Sequence, residues 1–325
     1  GLYYSENGTA FIKVDGVDSM HGAALHYNGS LWVAVGLSGI YYSSNGTSWT
    51  KVTGVSYMYG GAALHYNGSL WVVAGEVGIY YSSNGTSWTN VTGVGNMYGS
   101  SVYYNGSLWV AAGVSGMYYS SNGTSWTNVT GVDNMYGSSV YYNGSLWVVA
   151  GHDGIYYSSN GTSWTNVTGV DNMYGSSVYY NGSLWVVAGE GGMYYSSNGT
   201  SWTKVTGVDS MSGAALHYNG SLWVAVGVGG IYYSSNGTSW TKVTGVGYTS
   251  DPALHYNGSL WVVAGHDGIY YSSNGTSWTN VTGVDRMFGA SVLYQDGKYI
   301  VAGYGGIYYK IDDGNTNRIS GTLRK

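Results

Sequence analysis

Two dipeptides, His152-Asp153 and His266-Asp267, carry the most reactive-looking side chains of the chain. An imidazole beside a carboxylate can serve as a general base or as half of a metal site. Each pair supplies only two ligands, however, and the pairs fall three repeats apart, so a polar turn is the simpler account and no metal is expected. Four further histidines, His26, His65, His217 and His255, share one recurring position with Tyr103, Tyr141 and Tyr179. A position open to both His and Tyr suits packing and hydrogen bonding better than metal ligation. Near the C-terminus, Asp313, Asn315 and Asn317 alternate as in a calcium loop, but Arg318 stands where glycine is needed and Arg324 where a bidentate glutamate belongs.

The composition narrows the chemistry further. Charged residues make up 8% of the 325 residues and the net charge is −5, so nothing here neutralises a row of phosphates and nucleic acid is not an expected partner. There is no Cys, hence no disulfide framework or thiolate metal site. No run of about 18 apolar residues is present, so no membrane-spanning helix is expected. No cofactor is implied. The chain opens at Gly1, as a mature form or a piece of a longer protein would. Ser, Thr, Asn and Tyr must supply the polar surface in place of charge, which suits a cell-surface protein better than a cytosolic one.

What positions these residues is a repeat. Trp49, Trp88, Trp126, Trp164, Trp202, Trp240 and Trp278 are spaced by 39 residues once and by 38 thereafter. Trp32, Trp71, Trp109, Trp147, Trp185, Trp223 and Trp261 keep the same step, continued by Tyr299. Each unit holds four short β-compatible runs separated by turn signals: "GSSVYY", "SLWVVAG", "GIYYSS" and "TSWTNVT". A period near 40 with four strands per unit predicts a β-propeller blade. Strands a to d run from axis to rim. The small residues that open strand a suit a crowded axis, and the apolar strand b suits a core buried on both faces. The tryptophans are expected between blades rather than stacked on sugars.

The census gives eight copies each of a, b and d but nine of c, because "GLYYS" opens the chain and "GIYYK" nearly closes it. The expected fold is therefore all-β, an eight-bladed propeller of four-stranded antiparallel blades spanning residues 1–311, whose last blade combines both termini. Residues 312–325 form a tail. Gly1–Ser5 and Gly306–Lys310 compete for one slot, and the loser is free for self-association.

In such a blade the ab and cd turns share one face, and the bc turn and da connection share the other. Fifteen of the sixteen ab and cd turns carry Asn-Gly, which predicts two-residue type I′ hairpins. Differences between copies gather on the opposite face. Its ligand-facing candidates are Met20, Met58, Tyr59, Met97, Tyr98, Met135, Tyr136, Met173 and Tyr174 in the da connections, with His152, Asp153, His266 and Asp267 in the bc turns.

The element Ser43-Ser44-Asn45-Gly46-Thr47-Ser48-Trp49, repeated in the later blades, resembles the Asp-box or BNR repeat, Ser-x-Asp-x-Gly-x-x-Trp. The family carries it at the cd turn of propeller blades, in sialidases, sortilin-type receptors and many surface proteins, where it is a fold element. Here Asn replaces Asp and one residue before the Gly is missing, which implies a plain hairpin rather than the wider family loop. A sialidase-like activity would need an arginine cluster, a Tyr nucleophile and acidic partners. Only Arg286 lies within the repeats, so an enzyme is not expected.

Asn-x-Ser/Thr occurs nineteen times. Asn7, Asn45, Asn84, Asn122, Asn160, Asn198, Asn236 and Asn274 lie in cd turns, and Asn28, Asn67, Asn105, Asn143, Asn181, Asn219 and Asn257 in ab turns. Turn chemistry explains both sets. Asn90, Asn128, Asn166 and Asn280 lie in strand d, where no turn asks for Asn and other blades carry Lys13, Lys51, Lys204 and Lys242. A glycan would block an exposed rim by bulk, as Lys does by charge. The resulting expectation is an extracellular, N-glycosylated recognition or adhesion propeller whose partner is a glycan or surface protein, with the quasi-symmetric blades offering repeated sites on the bc/da face for multivalent glycan capture. A structural subunit linked by terminal strand exchange is the alternative.

Overall fold

The run Trp-Val-x-x-Gly offers no polar side chain and favours extended backbone, and all five of its positions are buried in each copy, from Trp32–Gly36 to Trp261–Gly265. A computed structural model describes residues 1–304 except 18, 56–57, 59–60, 99, 209, 247–249, 283 and 285–286. The expected boundary at 311/312, the tail motif with Asp313, Asn315 and Asn317, and Gly306–Lys310 lie outside the described residues. No helix among the described residues is long and apolar enough to cross a membrane.

Blade 1 consists of β3 (Ala24–Tyr27), β4 (Trp32–Gly36), β5 (Gly39–Ser43) and β6 (Thr50–Lys51), strands a to d, paired antiparallel in that order. Six further blades repeat this arrangement through Thr279–Asn280. The eighth sheet has the order β2-β1-β32-β31, drawing β31 (Phe288–Gln295) and β32 (Lys298–Tyr304) from one end of the chain and β1 (Leu2–Ser5) and β2 (Ile12–Lys13) from the other. All-β architecture, eight blades and closure by both ends are as the repeat predicts. The contest for the c slot is decided too: Leu2 pairs with Ala302 and Ser5 with Tyr299, and Leu2 and Tyr3 are fully buried. Gly1–Ser5 therefore fills the c slot of blade 8 and is not a spare edge in the closed ring.

Each core cluster lies between neighbouring blades rather than within one. Trp32, Ala34 and Tyr41 of blade 1, for example, pack with Ile300 and Ala302 of blade 8. At about 25 cal/mol per Å², each buried indole contributes several kcal/mol to such a joint. The second Trp series is less buried than expected. Trp49 and its equivalents are half-buried at the edges of these clusters, and the Trp49 indole donates to Gly46 O at 2.9 Å.

The turns correct two further expectations. Type I′ geometry needs positive φ at both turn residues, yet none of the Asn residues in the Asn-Gly turns has it; Asp296-Gly297, the exception in sequence, does, with φ of 50° and 71°. In the ab turn, Asn28 Oδ1 accepts the amides of Ser30 and Leu31, so the side chain takes over a backbone hydrogen bond and positive φ shifts to Gly29. The cd connection is not a tight hairpin at all. Residues 43–49 form a seven-residue loop between the paired Tyr42 and Thr50. Asn45 Oδ1 accepts the amides of Thr47 and Ser48, while buried Ser43 Oγ accepts that of Gly46 and donates to Asn45 Oδ1. Side-chain capping stabilises a wide loop in place of the missing residue.

Candidate functional site

The da connections converge on the axis because each is held from two sides. Met97 donates its amide to Gly75 O of blade 2, and its backbone presses on Gly113 of blade 3, where a Cβ would meet Met97 O at 3.0 Å. The bc turn of the same blade then donates to the next residue: Val114 N to Tyr98 O, His152 N to Tyr136 O and Glu190 N to Tyr174 O, at 3.0–3.1 Å. Two neighbours in sequence are thereby sent to opposite destinations. Met20, Met58, Met97, Met135 and Met173 are fully buried staples between blades, not a ligand rim. Tyr98, Tyr136 and Tyr174 stay half-buried at the channel mouth. Tyr59 lies outside the described residues.

These three tyrosines form an arc across blades 3, 4 and 5. Ring centroids are 4.9 Å apart for Tyr98–Tyr136 and 4.7 Å for Tyr136–Tyr174, and Tyr174 donates its hydroxyl to Tyr136 at 3.1 Å. Burial, then the hydrogen bonds to Tyr174 and Tyr98, push the Tyr136 hydroxyl far above its ordinary pKa. These surroundings favour the protonated phenol, which accepts the hydrogen bond from Tyr174.

The arc borders a cavity of ≈ 340 Å³ on the axis, to which all eight blades contribute. Its wall is made of small residues, Gly22, Gly61, Gly137, Gly175, Gly213 and Gly289 with the Ala or Ser that follow each, and of His21, Asp251 and Pro252. The glycines form a belt with φ between 55° and 84°. A Cβ on Gly137 would stand 2.5 Å from Gly175 N, so only glycine fits without strain. Among the described residues, Ala23, Ala62, Ser100, Ser176, Ala214 and Ala290 each donate the amide to the carbonyl of the preceding blade's belt residue, as in Ala62 N to Gly22 O at 2.9 Å. At blade 7 this circle is interrupted, since Pro252 has no N–H to give to Gly213. The sequence carried the signal: Asp251-Pro252 replaces a Gly-Ala or Gly-Ser pair, and Pro252 is the only proline.

The other candidates are kept apart. His152 and Asp153 bond each other at 2.8 Å (Nδ1 to Oδ1), as do His266 and Asp267, each pair within its own bc turn and neither against the cavity. Among the described residues no group of three or more His, Asp and Glu comes together. The shared His/Tyr position of strand a builds a second aromatic belt. Neighbouring rings lie 5.3–6.4 Å apart along His26, His65, Tyr103, Tyr141, Tyr179, His217 and His255, with Leu293 at the eighth position. Most also meet the next blade's Trp edge-on, as His26 does Trp71 at 5.5 Å. Burial lowers the pKa of all four histidines; for His65 and His255 it falls to about 4, helped by repulsion from His26 and His217 respectively. The strand-d sequon Asn90, Asn128, Asn166 and Asn280 side chains are exposed on the rim.

No protein-family profile matches the sequence, and no curated protein does. In shape the chain is similar to the computationally designed Ika8 protein, with a TM-score of 0.70 and 12% identity over 91% of this chain and 99% of that one. BamB from Moraxella catarrhalis gives 0.58 and 12% over 89% and 100%. An ancestral GH74 enzyme gives 0.52 and 17%, covering 93% of this chain but 55% of its own. At such identities the likeness is one of fold, and the fold is that of an eight-bladed β-propeller.

Proposed function

We propose that the chain is a non-catalytic recognition propeller of a cell surface, binding a glycan at the axial mouth of its bc/da face. The observation that carries this reading is the Tyr98–Tyr136–Tyr174 arc beside a ≈ 340 Å³ cavity. Phenol rings and hydroxyls, backbone amides and small hydroxyl side chains suit a polyhydroxylated ligand, and the volume falls in the range of small-ligand sites. Among the described residues the cavity wall holds one carboxylate, Asp251, where glycoside hydrolysis commonly uses two, and burial favours the protonated form of its central phenol. Because all eight blades share this cavity, one composite site is favoured over eight equivalent ones. The low charge, the absence of Cys and the exposed strand-d sequons favour a glycosylated surface protein whose own sugars lie on the rim, clear of the mouth. A glycan array followed by calorimetry tests the reading: binding should be weakened by Tyr136→Ala and Tyr174→Ala. An array with no binder sinks it. Glycosylation is checked separately by intact mass of natively produced protein, where a bare polypeptide mass would exclude it.

A second reading, assembly into a surface layer or filament, draws on blade 8 being closed without covalent continuity between β1 and β32. The same pairing can form between chains, the more readily because the sequence of Gly306–Lys310 repeats that of the occupant strand. Light scattering of chains with and without residues 306–325 tests it, with loss of oligomers in the shorter chain as the supporting result.

A further inference from the structure

We infer that the ligand presents a cationic group, an ammonium, to the channel mouth, where the Asp251 carboxylate and the outer face of Tyr174 receive it. This deepens the recognition reading above and rests on it for the location of the site.

The first observation is the belt position itself. Seven of the eight copies have glycine there in sequence, and Asp251 alone departs from it. Asp251 nonetheless keeps the left-handed backbone of the belt, with φ of 45°. An L-residue there costs on the order of 1 kcal/mol relative to glycine. A residue held in that region against its preference, at a cavity wall, points to a role for its side chain. Asp251 Oδ1 lies 2.9 Å from where a Cβ on Gly213 would stand, so the carboxylate rests against the belt on the side of blade 6.

Electrostatics supply the second observation. Among the described residues Asp251 is the sole acidic residue of the cavity wall, and neither Lys nor Arg borders the cavity. No ion pair engages Asp251 among the described residues. A carboxylate so placed offers a charge-assisted hydrogen bond to an incoming cation, and the net charge of −5 favours the same sign of ligand.

The tyrosine arc supplies the third. Tyr174 stacks on Tyr136 with one face, and blade 6 places Ser212 at the next position, so among the described residues no second ring stacks on Tyr174 from that side. Tyr174 and Asp251 both line the axial cavity, two blades apart. An aromatic face beside a carboxylate is a setting that binds ammonium through the ring quadrupole and the ion pair together. A free amino sugar combines such a group with the hydroxyls that suit the rest of the mouth.

Calorimetry with three probes tests the inference: a chitosan tetrasaccharide, its fully N-acetylated counterpart, and benzylammonium as an amine without a sugar. Wild type should bind the free-amine saccharide about tenfold or more tightly than the acetylated one. Asp251→Asn and Asp251→Gly should abolish that preference. Asp251→Gly restores the residue of the other belt positions, so its thermal unfolding should be unchanged or improved, which separates loss of binding from loss of fold. Equal binding of the two saccharides, or a preference that survives in Asp251→Gly, overturns the inference while leaving glycan recognition standing. Binding of benzylammonium alone, dependent on Asp251, upholds the cation site and removes the glycan reading. A wild type that binds none of the probes overturns the inference.

Discussion

Gly46 donates its amide hydrogen to the buried hydroxyl of Ser43 at 2.9 Å. In an Asn-Gly pair that amide nitrogen is the atom that attacks the Asn side chain when ammonia is lost and a succinimide forms. The cd loops thus engage the nucleophile in every blade, as at Gly85 and Gly123. In the ab turns the Asn oxygen is capped in the same way, but the amide of Gly29 has no partner among the described residues.

The first prediction is that deamidation follows this division. On prolonged incubation at mildly alkaline pH, peptide mapping should find Asp or isoAsp at Asn28, Asn67 and Asn105 before Asn45, Asn84 and Asn122. Ser82→Ala should make Asn84 as labile as the ab sites, and should cost about 1–3 kcal/mol by leaving the buried Gly85 amide unpaired. Equal rates at both turn classes would refute the argument.

These turns also show what was legible beforehand. The Trp period and the alternation of apolar runs fix strand number, order and closure, because each strand must bury a repeating face. Loop interiors follow a different logic. "SNGTSW" reads equally as a tight hairpin or as a wide loop folded round Asn45 Oδ1, since the deciding hydrogen bonds run from a side chain to amides that any residue supplies. The Met-Tyr pairs pose the same problem at the other face. Nothing in the letters says that Met135 turns inward and Tyr136 toward the channel; the bc-turn amide of His152 that fixes Tyr136 does. Asp251 was visible as a departure from the repeat, but its meaning depends on the backbone conformation of a belt that only the closed ring creates.

The second prediction separates those two neighbours. Met135→Ala removes a fully buried side chain between blades and should cost roughly 2–5 kcal/mol in denaturant unfolding. Ligand affinity in the folded variant should be nearly unchanged. Tyr136→Ala should show the reverse, with a smaller loss of stability and a marked loss of binding. If Met135→Ala weakens binding at unchanged stability, the assignment of Met to the core is wrong.

The third concerns acid. Burial holds the folded-state pKa of His65 and His255 at about 4, against an ordinary value of 6.5. The unfolded chain therefore takes up protons at a higher pH than the folded one, and stability falls as the pH drops from about 6.5 toward 4. Above that window both states are neutral at these sites and the contribution is intact; below it both are charged and the slope ends. The two histidines together should account for a few kcal/mol. His65→Tyr with His255→Tyr, the residue that blades 3 to 5 carry, should flatten the profile between pH 7 and 4. A profile unchanged by this double substitution would exclude the strand-a histidines as its source.

The last prediction follows from the closing strand. Leu2 and Tyr3 are fully buried, and β1 pairs along β32 from Leu2–Ala302 to Ser5–Tyr299. Deleting residues 1–5 opens the edge of β32 and uncovers Ile300 and Ala302, which are fully buried in the closed ring. In a ring each blade is supported on both sides, so the loss is felt by blades 7, 8 and 1 together and not as one frayed end. The deletion should therefore lower the unfolding midpoint and, through the exposed edge, promote association at raised protein concentration. A synthetic peptide of residues 1–13, which carries the missing β1 together with its partner β2, should restore the midpoint with saturable dependence on its concentration. Failure of the peptide to rescue, with the midpoint of the deletion variant unchanged, would mean that another segment fills the slot. The other terminal c copy, "GIYYK" at 306–310, is the segment whose removal would then have to reproduce the loss.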